Sequence, residues 1–472
     1  MVDYAQLGLK IGLEIHRQIE SHKLFCHCAS ELQERQPDTI TKRELRSVAS
    51  EMGEHDTVAK FELGKKRHAL YQGYEDTTCL VELDEEPIHP INQDALAIVL
   101  QVCKLLHMHV VDEIQVMRKQ VIDYSNTSGF QRTALIGVHG YVQTPSGKVG
   151  IDSVCIEEDS ARRMTTEKEH VVFRLDRLGI PLIEIATAPD MKSPEHAKEV
   201  AEYLGMILKS TGRFKSGIGT IRQDLNVSIT RHPRVEIKGV QELRMIPKII
   251  ELEIDRQQQL LSQGKSEVRQ AQPDGSTTFL RPMPGSSRMY VETDHHAFSV
   301  HQLYTSLTIP ELLTEKTVSL EQRYKLPSQL ARELLESEKL NLFEHCARAF
   351  PLEPSLIAHI LIETPKELKT RFKIDPEKLR EKDFTFVIEH IHNKTITKEA
   401  ALDILAELAQ GKIVHIDMYK PVSLEKIEKD IDTLISQNAN ITPNALMGMV
   451  MNKYKGKIEG KKVMEFIKEK LT

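Results

Sequence analysis

The feature that most constrains the fold is the alternation of polar and apolar residues in segment 219–229, which only Gln223 interrupts. Successive side chains of a β-strand point to opposite faces, so residues two apart share a face. The apolar face of this strand belongs in a core, but a face with several charged and amide groups does not. The segment predicts a half-buried strand with a functional outer face. That face carries Arg222, Asp224, Asn226 and Ser228.

A second short stretch, Ile11-Gly-Leu-Glu-Ile-His16, has the same period. Glu14 and His16 share one face of a predicted strand and can point into one site, while the residues between them pack behind it. A strand edge with two solvated polar residues is the alternative that spacing alone leaves open.

Other segments of the chain carry residues typical of helix ends and turns. Ser193 followed by Pro194 predicts an N-cap and a first helical turn, and a second helix is predicted over 245–261. Segment 262–275 is polar and predicts a loop, while Pro145-Ser-Gly147 predicts a turn between two strands. From about residue 309 the pattern becomes helical throughout.

Composition excludes several classes of protein. The chain of 472 residues is 40% hydrophobic and 28% charged, which predicts two to four globular domains. It has no apolar run long enough for a membrane span and no signal-peptide pattern at its start, so we expect a cytoplasmic protein. Its six cysteines are too scattered for a disulfide framework, and its net charge of −6 argues against nucleic-acid binding over the whole surface.

Two acidic segments are candidates for chemistry. One is Cys155–Arg163, with consecutive acids at Glu157 and Glu158, and the other is the apolar run 179–186, which contains Glu184. A buried carboxylate needs a cation or an ion pair. For Glu184 the ion-pair alternative, with Arg174 or Arg177, is about as well supported as a metal role. Oxygen ligands with one histidine suit Mg²⁺ better than catalytic zinc. The chain has no Walker A or dinucleotide-binding motif.

Cys26-His-Cys28 has the spacing of half a structural zinc site. Cys79 is the nearest further cysteine, so a zinc site of Cys26, Cys28 and Cys79 is one hypothesis. Three semi-buried thiols without metal are the equally acceptable alternative.

Taken together and in this order, the motifs resemble the B/E family of tRNA-dependent amidotransferase subunits, and more closely the archaeal E branch of that family. The resemblance covers nearly the whole chain. It rests on IGLEIHRQIESHKLFCHC, DTTCLVELDEEP, DYSNTSGFQRT, CIEEDSARR, LDRLGIPLIEIATAPD, GTIRQDLNVSI, PRVEIKGVQEL and RPMPGSSRMYVETD.

The resemblance implies an α+β fold in which a mixed-sheet catalytic cradle is followed by all-α helical and tail (YqeY-like) domains. The expected boundaries are 1–305 for the cradle, 306–395 for the helical domain and 396–472 for a tRNA-binding tail. E subunits usually carry an inserted domain resembling part of aspartyl-tRNA synthetases, and here the short segment 262–275 stands in its place.

The implied activity is ATP-dependent conversion of glutamyl-tRNA(Gln) to glutaminyl-tRNA(Gln). ATP and Mg²⁺ are the implied cofactors. Ammonia would come from an asparaginase-like D subunit, in a heterodimer or a dimer of heterodimers. The lysine-rich C-terminus would contact the tRNA backbone.

The resemblance also implies roles for individual residues. Glu14, His16, Glu157, Glu158 and Glu184 would line the reaction site, with His16, Glu158 and Glu184 as Mg²⁺ ligands and Glu157 as the alternative to Glu158. Residues for ATP or the tRNA end would be Ser125, Asn126, Arg222, Asp224, Asn226, Glu236, Lys238 and Arg288.

Three alternatives stay open at this point. A B-type subunit would use an amidase-like partner instead. A tRNA-binding module without activity could keep the fold, although it would have no need for convergent carboxylates. A Mg²⁺-dependent phosphohydrolase unrelated to tRNA is the third, and the basic C-terminus disfavours it.

Overall fold

The computed structural model describes residues 3–44, 64, 66–121, 123–217, 219–261, 263–283, 289–337, 339–437, 442–454, 457–458 and 460–471. The chain divides into two compact units, 1–312 and 313–472. Sheets are found in the first unit and only helices in the described part of the second, which confirms the α+β class.

The strands of the described residues all lie in the first unit. They are β1 (Lys10–Gln18), β2 (Thr39–Glu44), β3 (His68–Gly73), β4 (His109–Val110), β5 (Val116–Gln120), β6 (Phe130–Thr144), β7 (Gly147–Glu158), β8 (Arg162–Thr166), β9 (His170–Arg174), β10 (Pro181–Thr187), β11 (Ile221–Ser228), β12 (Val235–Lys238), β13 (Glu267–Ala271), β14 (Thr277–Pro282) and β15 (Met289–Val291).

The α-helices of the described residues are divided between the two units. Those of the first unit are α1 (Gln93–Leu105), α2 (Pro194–Ser210), α3 (Ile246–Gln259) and α4 (His301–Ser306). Those of the second unit are α5 (Leu313–Tyr324), α6 (Ser328–Glu336), α7 (Leu340–Ala349), α8 (Pro354–Arg371), α9 (Glu381–His392), α10 (Ala400–Ala409), α11 (Leu424–Gln437), α12 (Pro443–Lys453) and α13 (Gly460–Leu471).

A large mixed sheet has the strand order β14-β13-β12-β11-β1-β10-β7-β6-β5-β15, with β4 also paired to β6. A smaller sheet has the order β2-β3-β9-β8. In the large sheet β1 is central and antiparallel to both β10 and β11. The strands that carry the predicted motifs are therefore direct neighbours.

One face of the large sheet is closed by helices. Ile11, Leu13 and Ile15 of β1 are at most 1% exposed and pack in the same core as the buried residues of α1, α2 and α3. The N-cap prediction for α2 is confirmed, because Ser193 Oγ accepts a hydrogen bond from the His196 amide at 3.1 Å. Burying the odd-numbered residues of β1 turns its even-numbered residues to the opposite face.

The predicted turn at 145–147 is confirmed as the link between β6 and β7, which are both longer than the sequence pattern indicated. The loop predicted over 262–275 is wrong in part. Glu267–Ala271 forms β13, which pairs in parallel with β12 and antiparallel with β14. Backbone hydrogen bonds to two neighbours stabilise this polar strand although only Val268 is buried.

The second unit contains two separate hydrophobic cores. One includes residues from Leu320 to Leu405, and the other includes residues from Ile427 to Ile467. The predicted border between 395 and 396 crosses the first core, because Ile396 and Ile404 are buried there with residues of α8 and α9. The two cores instead separate near residue 420.

Pro365 lies inside α8, although proline normally begins or breaks a helix. Thr364, Pro365 and Leu368 are buried, so packing in the core compensates for the backbone hydrogen bond that proline cannot donate. Among the described residues, no helix combines the length and the apolar character that crossing a membrane requires.

Candidate active site

The open face of the large sheet is polar because of its strand register. His16 of β1 lies opposite Glu184 of β10 on one side and Arg222 of β11 on the other. Glu184 in turn lies opposite Cys155 of β7. Residues two apart along each strand extend this face, so the predicted groups of several distant motifs meet on one surface.

The centre of this surface is a cluster of His16, Glu157 and Glu184, whose potential ligand atoms all lie within 4.8 Å of one another. His16 Nε2 is 3.3 Å from Glu184 Oε2 and 3.6 Å from Glu157 Oε1. Thr133 Oγ1 donates to Glu157 Oε2 at 2.9 Å and fixes that carboxylate. One imidazole and two carboxylates form a ligand set suited to Mg²⁺ or Mn²⁺.

Glu158 was the preferred third ligand at the sequence level, and the geometry corrects that choice to Glu157. Glu158 points to the other face of β7, where Oε1 accepts a hydrogen bond from the Arg132 amide at 3.0 Å. Neighbouring residues of a strand face opposite sides, and the pairing of Thr133 with Glu157 decides which carboxylate joins the cluster.

Lys119 is a site residue that the sequence reasoning missed. Its Nζ lies 2.7 Å from Glu157 Oε2 and 3.3 Å from Glu184 Oε2, and it replaces the arginine partners considered for Glu184. The signal available in the sequence was its place in a short amphipathic strand just before the Ser125-Asn126 motif. The ammonium group partly neutralises two close carboxylates.

The charges in this cluster shift its protonation equilibria. Burial alone would raise the pKa of Glu184, but Lys119 and His16 hold that pKa well below its usual range. Burial would likewise lower the pKa of His16, but the hydrogen bond and charge of Glu184 raise it. Glu184 is therefore ionised at neutral pH and available as a ligand.

A second acidic cluster adjoins the first along β1, β11 and β12. Glu14, Asp224 and Glu236 bring potential ligand atoms within 4.8 Å of one another. Lys238 Nζ lies 2.6 Å from both Asp224 Oδ2 and Glu236 Oε1. Burial, with the nearby charge of Glu236, raises the pKa of Glu14. Because Glu14 and His16 are two residues apart on β1, the two clusters are roughly 7 Å apart.

Arg222 has a partner that the sequence did not indicate. Its Nη2 donates to Asp159 Oδ1 at 2.8 Å, and Gln18 Nε2 donates to Asp159 Oδ2 at the same distance. The charge of Asp159 raises the pKa of Arg222. Arg222 is thus a fixed cation beside His16.

The three cysteines of the zinc hypothesis meet in space. Cys26, Cys28, Cys79 and Glu82 bring potential ligand atoms within 4.8 Å of one another. Hydrogen bonds from the thiols of Cys26 and Cys79 lower the pKa of Cys28 to about 4. Three sulfurs and one carboxylate match a closed four-ligand zinc site.

Glu82 was missed at the sequence level, although Cys79-x-x-Glu82 has the spacing of a zinc half-site. It accepts hydrogen bonds from the Cys26 thiol at 2.9 Å and the Cys79 amide at 2.8 Å. Lys23, whose side chain is completely buried, lies 3.4 Å from Glu82 and donates to the Leu175 carbonyl at 3.1 Å. The cluster therefore ties the segment after β1 to the segment after β3, and Lys23 connects both to the segment before β10.

Other predicted residues lie apart from these clusters or cannot be placed. Ser125 Oγ donates to Asp123 Oδ1 at 2.5 Å, and its carbonyl accepts from the Ala161 amide. Asn126 is buried, and its Nδ2 has no hydrogen-bond partner. Arg288 lies outside the described residues.

The predicted tRNA-binding lysines of the C-terminus are described only in part. Lys453 pairs with Asp430 at 2.5 Å, and Lys470 pairs with Asp432 at 3.0 Å. Lys455 lies outside the described residues. Intramolecular pairing reduces the positive charge that these two lysines present to a partner.

Comparison with known families agrees with this arrangement. Residues 9–306 match the family of the GatB/GatE catalytic domain, and residues 341–471 match the GatB domain family. The chain belongs to the GatB/GatE family.

Curated relatives align with the chain over its whole length. The E subunit of the glutamyl-tRNA(Gln) amidotransferase of Methanocaldococcus jannaschii is 34% identical, covering 100% of this chain and 99% of the relative. The protein of the same name from Archaeoglobus fulgidus is 35% identical with the same coverage. The first alignment spans 626 positions, more than the 472 residues of this chain, so that relative contains residues without a counterpart here.

Proposed function

We propose that this protein catalyses the ATP-dependent conversion of glutamyl-tRNA(Gln) to glutaminyl-tRNA(Gln). The observation that carries the proposal is the cluster of His16, Glu157 and Glu184 on the open sheet face of a GatB/GatE catalytic domain. The name shared by the relatives indicates the same reaction. A chain that only bound tRNA would not need carboxylates and a histidine converging at one point of this face.

The chemistry requires activation of the substrate. A γ-carboxylate is a poor electrophile, so its oxygen first attacks the terminal phosphorus of ATP, and ADP leaves. Ammonia then attacks the acyl carbon, inorganic phosphate leaves and an amide remains. The phosphoryl step proceeds by positioning and charge stabilisation, which a rigid sheet face with Lys119, Arg222 and Lys238 beside its carboxylates can provide.

His16, Glu157 and Glu184 would hold one Mg²⁺, and Glu14, Asp224 and Glu236 would hold a second. Bound Mg²⁺ supplies positive charge to phosphoryl oxygens during transfer. The donor sets fit, since each contains at least two carboxylates within 4.8 Å. Lys238 lies 2.6 Å from two of these acids and could contact phosphate oxygens when they bind.

Lys119 and Arg222 lie on either side of His16 and have different parts in this proposal. Lys119 holds Glu157 and Glu184 in place, and its charge lowers the pKa of Glu184. Arg222, held by Asp159, presents a fixed positive charge toward an anionic substrate group such as the γ-carboxylate or the acyl phosphate formed from it. Both positive charges are already in position before the reaction, whereas water dipoles would have to reorient as charge develops.

The ammonia source is proposed to be a separate, asparaginase-like D subunit, and the assembly a heterodimer or a pair of heterodimers. The relatives are themselves named as parts of a larger enzyme, which supports a partner. A reaction on aminoacyl-tRNA agrees with a cytoplasmic location. The cluster of Cys26, Cys28, Cys79 and Glu82 is proposed to hold a structural zinc ion.

The test uses the purified chain with ammonium chloride, ATP, Mg²⁺ and tRNA(Gln) charged with radiolabelled glutamate. We expect labelled glutamine to be released from the tRNA only when ATP is present. Recovery of glutamate alone, also after addition of the partner protein, would contradict the proposal. A Glu157→Gln variant should lose activity, while a Glu158→Gln variant should retain Mg²⁺ dependence because Glu158 faces away from the cluster.

A further inference from the structure

Three histidines form a row next to the thiol cluster. The ring centroid of His27 lies 5.3 Å from that of His22 and 5.8 Å from that of His89. Their planes are inclined by 48° and 54°, so the rings are not stacked on one another. Two imidazoles that share a zinc ion through Zn–N bonds of about 2 Å have ring centroids roughly 5 Å apart. Each neighbouring pair in the row is therefore close to the spacing that a shared metal ion requires.

The row is carried by two segments that hydrogen bonds hold side by side. The His89 amide donates to the Phe25 carbonyl at 3.0 Å, and the Asn92 amide donates to the Leu24 carbonyl at 2.9 Å. Asn92 Nδ2 also donates to the His22 carbonyl at 2.9 Å. The three histidines are thus brought together by the backbone of the folded chain, and a metal ion would not have to order these segments when it binds.

The surroundings of His22 determine which of its ring nitrogens can bind a metal. Nδ1 lies 2.8 Å from the Lys23 carbonyl oxygen and 2.9 Å from the Cys26 carbonyl oxygen. A carbonyl oxygen can only accept, so Nδ1 carries the proton, and Nε2 of the neutral ring keeps its lone pair. Histidines that bind metals usually donate their other N–H to a carbonyl or a carboxylate in this way.

His89 has the same kind of support from a carboxylate. Its Nε2 lies 2.7 Å from Glu86 Oε1, so Nε2 donates and Nδ1 keeps the lone pair. The nearby His295 differs, because its Nε2 accepts from the Ile91 amide at 3.1 Å and its Nδ1 donates to the His296 carbonyl at 2.8 Å. His295 therefore has no nitrogen left for a metal, whereas His89 has one.

The row is accessible to ions from solvent. The side chains of His89 and Glu86 are each 37% exposed, and His27 is exposed, whereas Cys26 of the thiol cluster is buried. Imidazole nitrogens suit zinc and neighbouring transition metals such as nickel and copper, but not Mg²⁺.

We propose that His22, His27 and His89 bind one transition-metal ion of the zinc type, with Glu86 as the hydrogen-bond partner that orients His89. Three protein ligands leave a fourth position for water, as in sites that are not purely structural. The site is distinct from the thiol cluster, since the two share no ligand. It does not depend on the proposed reaction.

The experiment titrates Zn²⁺ into the purified full chain by calorimetry at about pH 7.5, above the ordinary imidazole pKa of about 6.5. We expect wild type to bind one more Zn²⁺ per chain than His22→Gln or His89→Gln. Glu86→Gln should keep the additional ion with roughly tenfold weaker affinity, because loss of a partner that orients a ligand costs about 10- to 100-fold.

Two controls separate this site from other sources of binding. His170→Gln removes one ring of another close pair, His68 and His170, whose centroids are 5.6 Å apart but whose planes are inclined by only 25°, and it should leave binding unchanged. Cys28→Ser removes a thiol ligand and should keep the additional ion. Loss of the ion in Cys28→Ser would assign it to the thiols, and equal loss in His170→Gln would reveal binding to surface histidines in general. Either result would overturn the proposal.

The proposal would also be overturned if both His22→Gln and His89→Gln bound as many ions as wild type with the same affinity. Thermal unfolding verifies that each variant is folded. Should the histidine variants fail to fold, Glu86→Gln still decides, because it changes a partly exposed side chain and leaves all three imidazoles in place. Unchanged affinity in that variant would then overturn the proposal.

Discussion

Two ligand clusters in the first unit differ in how the fold builds them. The carboxylate cluster of His16, Glu157 and Glu184 lies on three strands of one sheet, whose register fixes every member. The thiol cluster of Cys26, Cys28, Cys79 and Glu82 is assembled from two segments outside the strands. The first has hard oxygen ligands on an open face, and the second has soft sulfur ligands with two of its members buried.

This difference predicts a catalytic role for the carboxylate cluster and a structural role for the thiol cluster. A sheet holds its side chains in place without a bound metal ion. A cation at the carboxylate cluster is therefore not needed for stability and can take part in the reaction. Loop segments have few backbone hydrogen bonds of their own, and a metal ion would stabilise them. Loss of the first cluster should therefore affect rate, and loss of the second should affect stability.

The largest effect is expected for Glu184→Gln. Removing this carboxylate removes a cation ligand and leaves Lys119 without one of its two partners. We expect the rate of glutamine formation to fall on the order of 10³-fold or more, since metal charge contributes several kcal/mol to such a step. Binding of tRNA, measured by filter retention, should change little. Near-normal turnover would remove Glu184 from the mechanism.

A large effect on stability, rather than on reaction rate, is expected for Cys28→Ser. The variant should lose bound zinc, measured by mass spectrometry of the metal content, and its unfolding temperature should fall by several degrees. The reason is that a metal that binds only the folded state adds to stability. Activity of the remaining folded protein at low temperature should be retained. If the wild-type protein contains no zinc as purified and unfolds at the same temperature as the variant, the thiols carry no metal.

A smaller effect, dependent on pH, is expected at Glu292. Burial would raise its pKa, but hydrogen bonds from Arg118 and Arg132 lower it to about 2. A lowered folded-state pKa gives stability that is complete above the unfolded value of about 4.3 and is lost as the pH falls toward 2.

For Glu292→Gln we therefore expect a loss of about 2 kcal/mol in the free energy of unfolding at pH 7 and a smaller loss at pH 4. Denaturant unfolding at both pH values measures it. A loss that does not depend on pH would mean that the ion pairs with Arg118 and Arg132 are not its source.

The smallest effect is expected for Ser193→Ala, which removes the N-cap of α2. The cost should be about 1 kcal/mol in the free energy of unfolding. Zinc content and the Mg²⁺ dependence of activity should both stay unchanged, because α2 contributes no ligand to either cluster. A change in either one would show that stability loss alone disturbs the clusters, and would weaken the comparison between them.

The polar faces of the strands were predictable because alternation is a local property of the chain. Arg222, Asp224 and Asn226 were placed on one face by period alone, and the pairing of β11 with β1 confirms it. The N-cap at Ser193 was predictable for the same reason. The polar strand β13 and the helix through Pro365 were not, because pairing and packing with distant residues overrode local preference.

The sequence by itself determined which residues could take part, since it carries the acids, the histidine and the thiols at fixed spacings. Only the tertiary structure decided between Glu157 and Glu158, because that choice depends on the register in which β7 pairs with β6 and β10. Only it joined Lys119 to the carboxylates and Glu82 to the thiols, across long separations in sequence. Local spacing sets the direction of a side chain within its own element, whereas contacts between elements depend on register and packing, which no single segment encodes.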